Sequence, residues 1–158
     1  MAIYNIGNNH YNGVYGLSQD YTKALELWLK AAKLGYAPAN FRIGTAYKFG
    51  EEGVEMDEKK AVHYFELAAM SGSVWARYNL GVDEHRRGNV DRALKHHMIA
   101  VVGGHTNSLE EIKRFYLNGY ATKEDYTKGL RAYQLYLDEI KSEQRDSAAK
   151  FKSSWKYY

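Results

Sequence analysis

The sequence predicts an all-α fold, an α-solenoid of antiparallel helix pairs, on three observations. The first is a stretch and its copy. Asp20–Gly35 and Asp57–Gly72 place Asp, Lys-Ala, an aromatic, Ala-Ala and Gly at identical offsets, displaced by 37 residues. A fixed period in the thirties marks a protein built of stacked repeats. The second is a shorter pattern ahead of each stretch. Ala2-Ile-Tyr-Asn-Ile-Gly7, Ala39-Asn-Phe-Arg-Ile-Gly44 and Ala76-Arg-Tyr-Asn-Leu-Gly81 recur at the same period. The third is a single Pro in 158 residues, which suits a chain that is mostly helix.

Each repeat divides into an A helix and a B helix. The second A helix is expected to bury Ala39, Ile43, Ala46 and Tyr47, which follow helical spacing. Gly44 lies on that face in mid-helix. There it costs about 1 kcal/mol against Ala, so a close packing contact is expected. Gly13 and Gly50 close the A helices. Asp20 and Asp57 then stand as N-caps, or within the first turn, of the B helices. The B helices are expected to bury Ala24, Leu25, Trp28, Ala31 and Ala32, and equivalently Ala61, Val62, Phe65, Ala68 and Ala69. Gly35, Gly72 and Gly104 end them. Pro38 sits just inside the next helix, where its missing N–H is harmless.

The third repeat is shorter. Ala93 follows Ala61 by 32 residues, and Arg86–Arg92 replaces the longer loop. The fourth is degenerate in its A helix, about Ser108 to Asn118, where Lys113 stands at the glycine position. Its B helix opens with Asp125-Tyr-Thr-Lys-Gly-Leu130, close to Asp20-Tyr-Thr-Lys-Ala-Leu25. It continues with Leu130, Tyr133, Leu137 and Ile140 on one face and outlasts a normal repeat helix, as a terminal cap does. The expected organisation is one solenoid over 1–140, with repeats near 1–36, 37–72, 73–104 and 105–140. Residues 141–158 follow as a helical extension or flexible tail.

The second copy reads Ala39…Ile43-Gly44-x-x-Tyr47-x-x-Gly50-x-x-Gly53-Val54-x-x-Asp57-x-x-Lys60-Ala61…Ala68-Ala69-x-x-Gly72. On these residues the chain resembles the Sel-one-like repeat (SLR) family, relatives of tetratricopeptide repeats, over about residues 2–140. His10 and Glu84 depart from the motif at its Tyr position. The resemblance implies a right-handed superhelix and an adaptor role in assembling complexes, including ubiquitin-ligase and degradation machinery. The third and fourth repeats also resemble those of algal and diatom SLR proteins. A branch of cysteine-rich secreted members is linked to penicillin binding, and the absence of Cys here argues against that branch. The chain starts inside an A helix, as a fragment or truncated paralogue would.

Composition bounds the chemistry. With no Cys there are no disulfides or cysteine metal sites. A net charge of +3 is too small to imply nucleic acid or membrane by itself. The N-terminus lacks the basic and apolar segments of a signal peptide, and no run approaches transmembrane length, so a cytoplasmic location is expected. Of the six His residues, no two stand at i, i+4. His97 aligns with Trp28 and Phe65 and reads as a neutral core histidine rather than a metal ligand. The pairs Glu51-Glu52, in an exposed turn, and Asp83-Glu84 read as solvated carboxylates rather than acid–base dyads. Gly50–Gly53 carries two carboxylates and would repel a phosphate. The tail from Lys150 to Tyr158 mixes bases and aromatics, a composition used for single-stranded nucleic acid, or simply a frayed end.

What remains is a surface. Tyr4, Phe41 and Tyr78 recur at one A-helix position, and Tyr11, Lys48 and His85 at another. Stacked A helices bring such positions into rows along one wall, the wall solenoids use for binding. The rows either line that wall or fill the packing between repeats. The expectation is a non-catalytic scaffold or adaptor with a protein or peptide partner. It has no cofactor, metal or small-molecule substrate, and no membrane. The alternatives are an enzyme of the penicillin-binding or β-lactamase type, or a nucleic-acid binder using the tail.

Overall fold

The computed structural model describes residues 1–50 and 53–154, with side chains for all of these except 145 and 148–154. Among the described residues there are eight helices and no strands. They are α1 (Ala2–Asn12), α2 (Tyr21–Lys33), α3 (Pro38–Phe49), α4 (Glu58–Met70), α5 (Val74–Arg86), α6 (Val90–Val102), α7 (Thr106–Leu117) and α8 (Lys123–Ser154). Odd-numbered helices are the A helices and even-numbered ones the B helices. The chain forms two compact units, Met1–Asp83 and Glu84–Tyr158.

Local chemistry sets the helix ends in the first unit. Gly13 and Gly50 adopt left-handed backbone at φ 63° and 62°, where a side chain would be strained. Asp20 and Asp57 are both N-caps. Their carboxylates accept the backbone N–H of Lys23 at 2.8 Å and of Lys60 at 2.9 Å.

The core of this unit is two similar clusters. One joins Ala24, Trp28 and Ala31 of α2 to Ala39, Ile43 and Ala46 of α3. The other joins Ala61, Phe65, Ala68 and Ala69 of α4 to Ala76 and Leu80 of α5. Each B helix thus covers the alanine face of the A helix that follows it. Leu25, Ala32, Tyr47 and Val62 are half-buried at the margin rather than fully enclosed. Within a pair the contact is closer. A Cβ at position 44 would stand 2.7 Å from Phe65 Cδ1, and one at position 7 would stand 2.8 Å from the Trp28 ring. Glycine lets the B-helix ring lie against the A-helix backbone.

The second unit varies this scheme. His97 takes the place of Trp28 and Phe65 and is fully buried. Its Nδ1 is 3.3 Å from Ser108 Oγ, and Phe115 meets its ring edge-on. His105 is the N-cap of α7, its Nδ1 accepting the Ser108 backbone N–H at 3.2 Å. In the last pair the small and large partners exchange. Gly129 of α8 faces Ile112 and Leu109 of α7. Lys113, at the A-helix glycine position, turns to solvent with its side chain 50% exposed.

Two expectations are corrected here. α8 starts before Asp125, because Thr122 is the cap. The Thr122 Oγ1 accepts the Asp125 N–H at 3.1 Å, and Asp125 Oδ2 accepts the Thr122 N–H at 2.9 Å, a reciprocal capping box. Leu130 is 42% exposed, while Tyr133, Leu137 and Ile140 are half-buried. The helix continues through residues 141–154. Glu51 and Glu52, and the end of the tail at 155–158, lie outside the described residues.

Burial pushes the His97 pKa down to about 4, helped by the positive forms of His96, His105, His85 and Arg114 around it. Burial also lowers His105. In the unfolded chain a histidine titrates near 6.5. Below that pH the unfolded state binds protons that the folded state refuses. The stability held by these neutral histidines is therefore full above about pH 6.5 and falls as the pH drops, and the His97 share is lost by about pH 4. His97 accounts for roughly 3 kcal/mol of that fall. His97→Phe, which restores the ring of Phe65, should flatten urea-melt stability between pH 7 and 4.5. An unchanged slope would remove His97 as its source. Gly44→Ala should destabilise by about 1–3 kcal/mol, because the overpacking of a fixed, fully buried Phe65 outweighs the gain in helix propensity. A stabilised Gly44→Ala variant in the same melts would show that the contact yields.

Candidate functional site

The first of the two predicted rows begins with Tyr4, in the opening turn of α1. Its ring centre lies 5.0 Å from that of Tyr36. Phe41 of α3 is tilted against Phe65, with ring centres 5.9 Å apart. Tyr4, Phe41 and Tyr78 are all half-buried. Tyr4 and Phe41 line a common groove of about 300 Å³ together with Ala37, Pro38, Ala68, Ser71, Gly72 and Ser73. The two serine hydroxyls there serve their own helices. Ser71 Oγ donates to the Leu67 carbonyl at 3.1 Å, and Ser73 Oγ accepts the Ala76 N–H at 3.3 Å. Beside the serine hydroxyls and the Tyr4 phenol, the groove offers rings, methyls and the Pro38 edge. Tyr78 is not among its lining residues.

The second row holds successive A helices to each other. Tyr11 packs on Tyr21 and Trp28, with ring centres 5.3 and 5.5 Å away. The guanidinium of Arg42, from the next A helix, sits 5.8 Å from the Tyr11 ring centre. One repeat later Lys48 stands at the Tyr11 position and Asn79 at that of Arg42. Lys48 Nζ donates to Asn79 Oδ1 at 3.0 Å and lies 3.4 Å from Asp83 Oδ1. It also lies 5.7 Å from the Phe65 ring centre. In the second unit His85 is 4.7 Å from the buried Phe115 ring. Cation–π, ion-pair and ring contacts thus occupy one equivalent position in turn.

Reading single helices singled out Tyr11, Lys48 and His85 but missed Arg42 and Asn79. Those two also stand 37 residues apart, and pairing that register with the first would have found them.

Residues with catalytic potential are committed to the fold. Ser108 lies between His97 Nδ1 and His105 Nδ1, at 3.3 and 3.0 Å, the ingredients of an activated hydroxyl. It is fully buried, so no substrate reaches it. Asp83 and Glu84 are buried rather than solvated. Each has its own cation. Asp83 is paired with Lys48, and Glu84 Oε1 is 2.9 Å from Arg92 Nη2. Asn89 Nδ2 donates to Glu84 Oε2 at 2.7 Å. That network explains a carboxylate at the motif Tyr position. Among the described residues no three His, Asp or Glu side chains gather as a metal site. No helix among them is long and apolar enough to cross a membrane.

An all-helical chain of glycine-locked helix pairs is a helical-repeat solenoid protein. Residues 1–36, 37–73 and 114–137 match the Sel1 repeat family model, and the chain belongs to the Sel1 repeat family. The shortened third repeat falls between the matched segments. The chain is 29% identical over 126 residues to chitin synthase regulatory factor 1 of Schizosaccharomyces pombe, covering 74% of this chain and 28% of that protein. It is 35% identical over 81 residues to chitin synthase regulatory factor 3 of the same yeast, covering 51% of this chain and 9% of that protein. The chain thus spans a minor part of these relatives' lengths. A solved Sel1 repeat protein from Oxalobacter formigenes has 26% identity and a TM-score of 0.72, covering 87% of this chain and 58% of that one. A protective antigen of uropathogenic Escherichia coli strains with an SLR fold also has a TM-score of 0.72, at 27% identity, covering 87% of this chain and 30% of that one.

Lys48→Ala should lower stability by about 1–3 kcal/mol, because it takes the ammonium from a carboxylate that is 94% buried on its side chain. A urea melt indistinguishable from wild type would return Lys48 to the list of free surface residues.

Proposed function

We propose that this chain is a non-catalytic binding module that holds a protein partner on its A-helix wall. The observation that carries this reading is the groove shared by Tyr4 and Phe41. Two half-buried rings one repeat apart, set among methyls and the Pro38 edge, favour an aliphatic or aromatic side chain from a partner segment. The relatives support a regulatory or adaptor role, since several are named as regulators of chitin synthase. Lys48, Tyr11 and His85 contribute by fixing successive A helices, which keeps the wall rigid. Tyr78 stands at the next register of the same aromatic row. We place the module in the cytoplasm and regard degradation machinery as one class of complex it would serve, on family resemblance.

The test is a Tyr4→Ser, Phe41→Ser double variant. It should fold, with about 1–2 kcal/mol lost from the half-buried rings. It should bind at least about tenfold more weakly to the partner that the wild-type chain retains in affinity capture. Unchanged binding with a stability loss above about 3 kcal/mol would make both rings core residues and refute the reading.

A further inference from the structure

Successive A helices meet twice in the first unit, and only one of the two contacts carries its own acid. Between α3 and α5, Lys48 Nζ lies 5.7 Å from the Phe65 ring centre and 3.4 Å from Asp83 Oδ1. Between α1 and α3 the cation comes from the other side. The Arg42 guanidinium lies 5.8 Å from the Tyr11 ring centre and 6.0 Å from that of Trp28, the counterpart of Phe65. Here the residue at the register of Asp83 is Ala46, which is buried. Neither α1 nor α3 contains an Asp or Glu. Among the described residues, no carboxylate or carbonyl accepts a hydrogen bond from the Arg42 side chain. Tyr11, Trp28 and Arg42 belong to α1, α2 and α3, so the contact is internal to the first unit. The chain thus supplies an acid to one wall cation and none to the other.

Arg42 is half-buried, and none of its nitrogens is sealed from solvent. Rings attract the cation through their π faces and take up none of its conventional N–H bonds. The donors of the fork therefore stay available while the rings hold it in place. One unpaired positive charge matches a monoanion, and the planar fork matches the two oxygens of a carboxylate. A phosphoryl group carries up to two charges at neutral pH. Lys48, the other basic side chain of α3, is already committed to Asp83 and adds nothing toward a second charge.

We propose that Arg42, seated against Tyr11 and Trp28, is the subsite for an Asp or Glu side chain of the protein partner. The inference rests on the reading of an A-helix wall that binds protein, and adds a charged group to the apolar groove. Lys48, Phe65 and Asp83 are the internal example of the contact, with cation, ring and carboxylate together. Because the rings already restrain the guanidinium, little side-chain freedom is lost when an acid docks.

The probe is a random heptapeptide library displayed on phage, panned on the immobilised full chain and on its Arg42→Gln variant. Peptides enriched on wild type should carry Asp or Glu at one fixed position, and panning on Arg42→Gln should lose that preference. An enriched peptide made synthetically should bind wild type at least about tenfold more tightly than the version whose acid is made an amide. The two versions should bind Arg42→Gln equally. Arg42→Lys, which keeps the charge and loses the fork, should fall between. The comparison of the two peptide versions on wild type stands even where a substitution at Arg42 disturbs the fold. Enriched peptides without a fixed acid, or an acid preference that survives Arg42→Gln, would overturn the proposal. So would displacement of the peptide by inorganic phosphate where acetate of equal ionic strength does nothing, since that would assign the subsite to a phosphoryl group. Peptides that lack the acid but lose binding to the Tyr4→Ser, Phe41→Ser variant would leave the groove standing without this subsite. No enrichment at all would remove both.

Discussion

Everything in the first unit depends on one steric constraint, a B-helix ring lying against the glycine backbone of its A helix. Trp28 meets Gly7 and Phe65 meets Gly44 at distances that exclude a Cβ. Glycine in mid-helix costs about 1 kcal/mol. Full burial of a large ring contributes about 1.5–3 kcal/mol, enough to offset it. The close approach then fixes the spacing within each pair. Ala24 and Ala31, or Ala61 and Ala68, come to lie beside the alanine face of the next A helix. One contact thus organises both the pair and the stacking of pairs.

The second unit shows how far the scheme bends. His97 keeps the ring and the burial but adds a titratable group, so the shape of the core survives at neutral pH and weakens in acid. In the last pair the glycine moves to the B helix as Gly129, and Ile112 supplies the bulk from the A helix. The complementarity of small against large is kept while the sides change. Lys113 is tolerated at the former glycine position because its side chain reaches water.

Much of this was legible in the residues. The 37-residue period, the glycine ends at Gly13 and Gly50 and the caps at Asp20 and Asp57 depend on local or periodic chemistry, which a sequence displays directly. The start of α8 was misread because Asp125 belongs to a capping box opened by Thr122, and either residue alone signals a helix start. Periodicity also fixes register without saying what lies across from it. Tyr11, Lys48 and His85 were legible as one row. That Lys48 meets Asn79 and Asp83, or that His85 meets Phe115, depends on the offset between neighbouring helices. The meeting of His97, His105 and Ser108 was invisible for the same reason, since those residues belong to two different elements and a cap. The groove of Tyr4 and Phe41 joins the predicted row to the α4–α5 turn, which a single-helix pattern does not contain.

The central claim is that ring and glycine are one interaction, and a double-mutant cycle between Gly44→Ala and Phe65→Ala tests it most directly. Ala removes every ring atom that the new methyl would strike. Urea melts of the two single variants and the double should therefore show the double to be more stable than the sum of the single effects predicts, by about 1 kcal/mol or more. Additivity within about 0.5 kcal/mol would contradict the account, because it would mean that the glycine and the ring act independently.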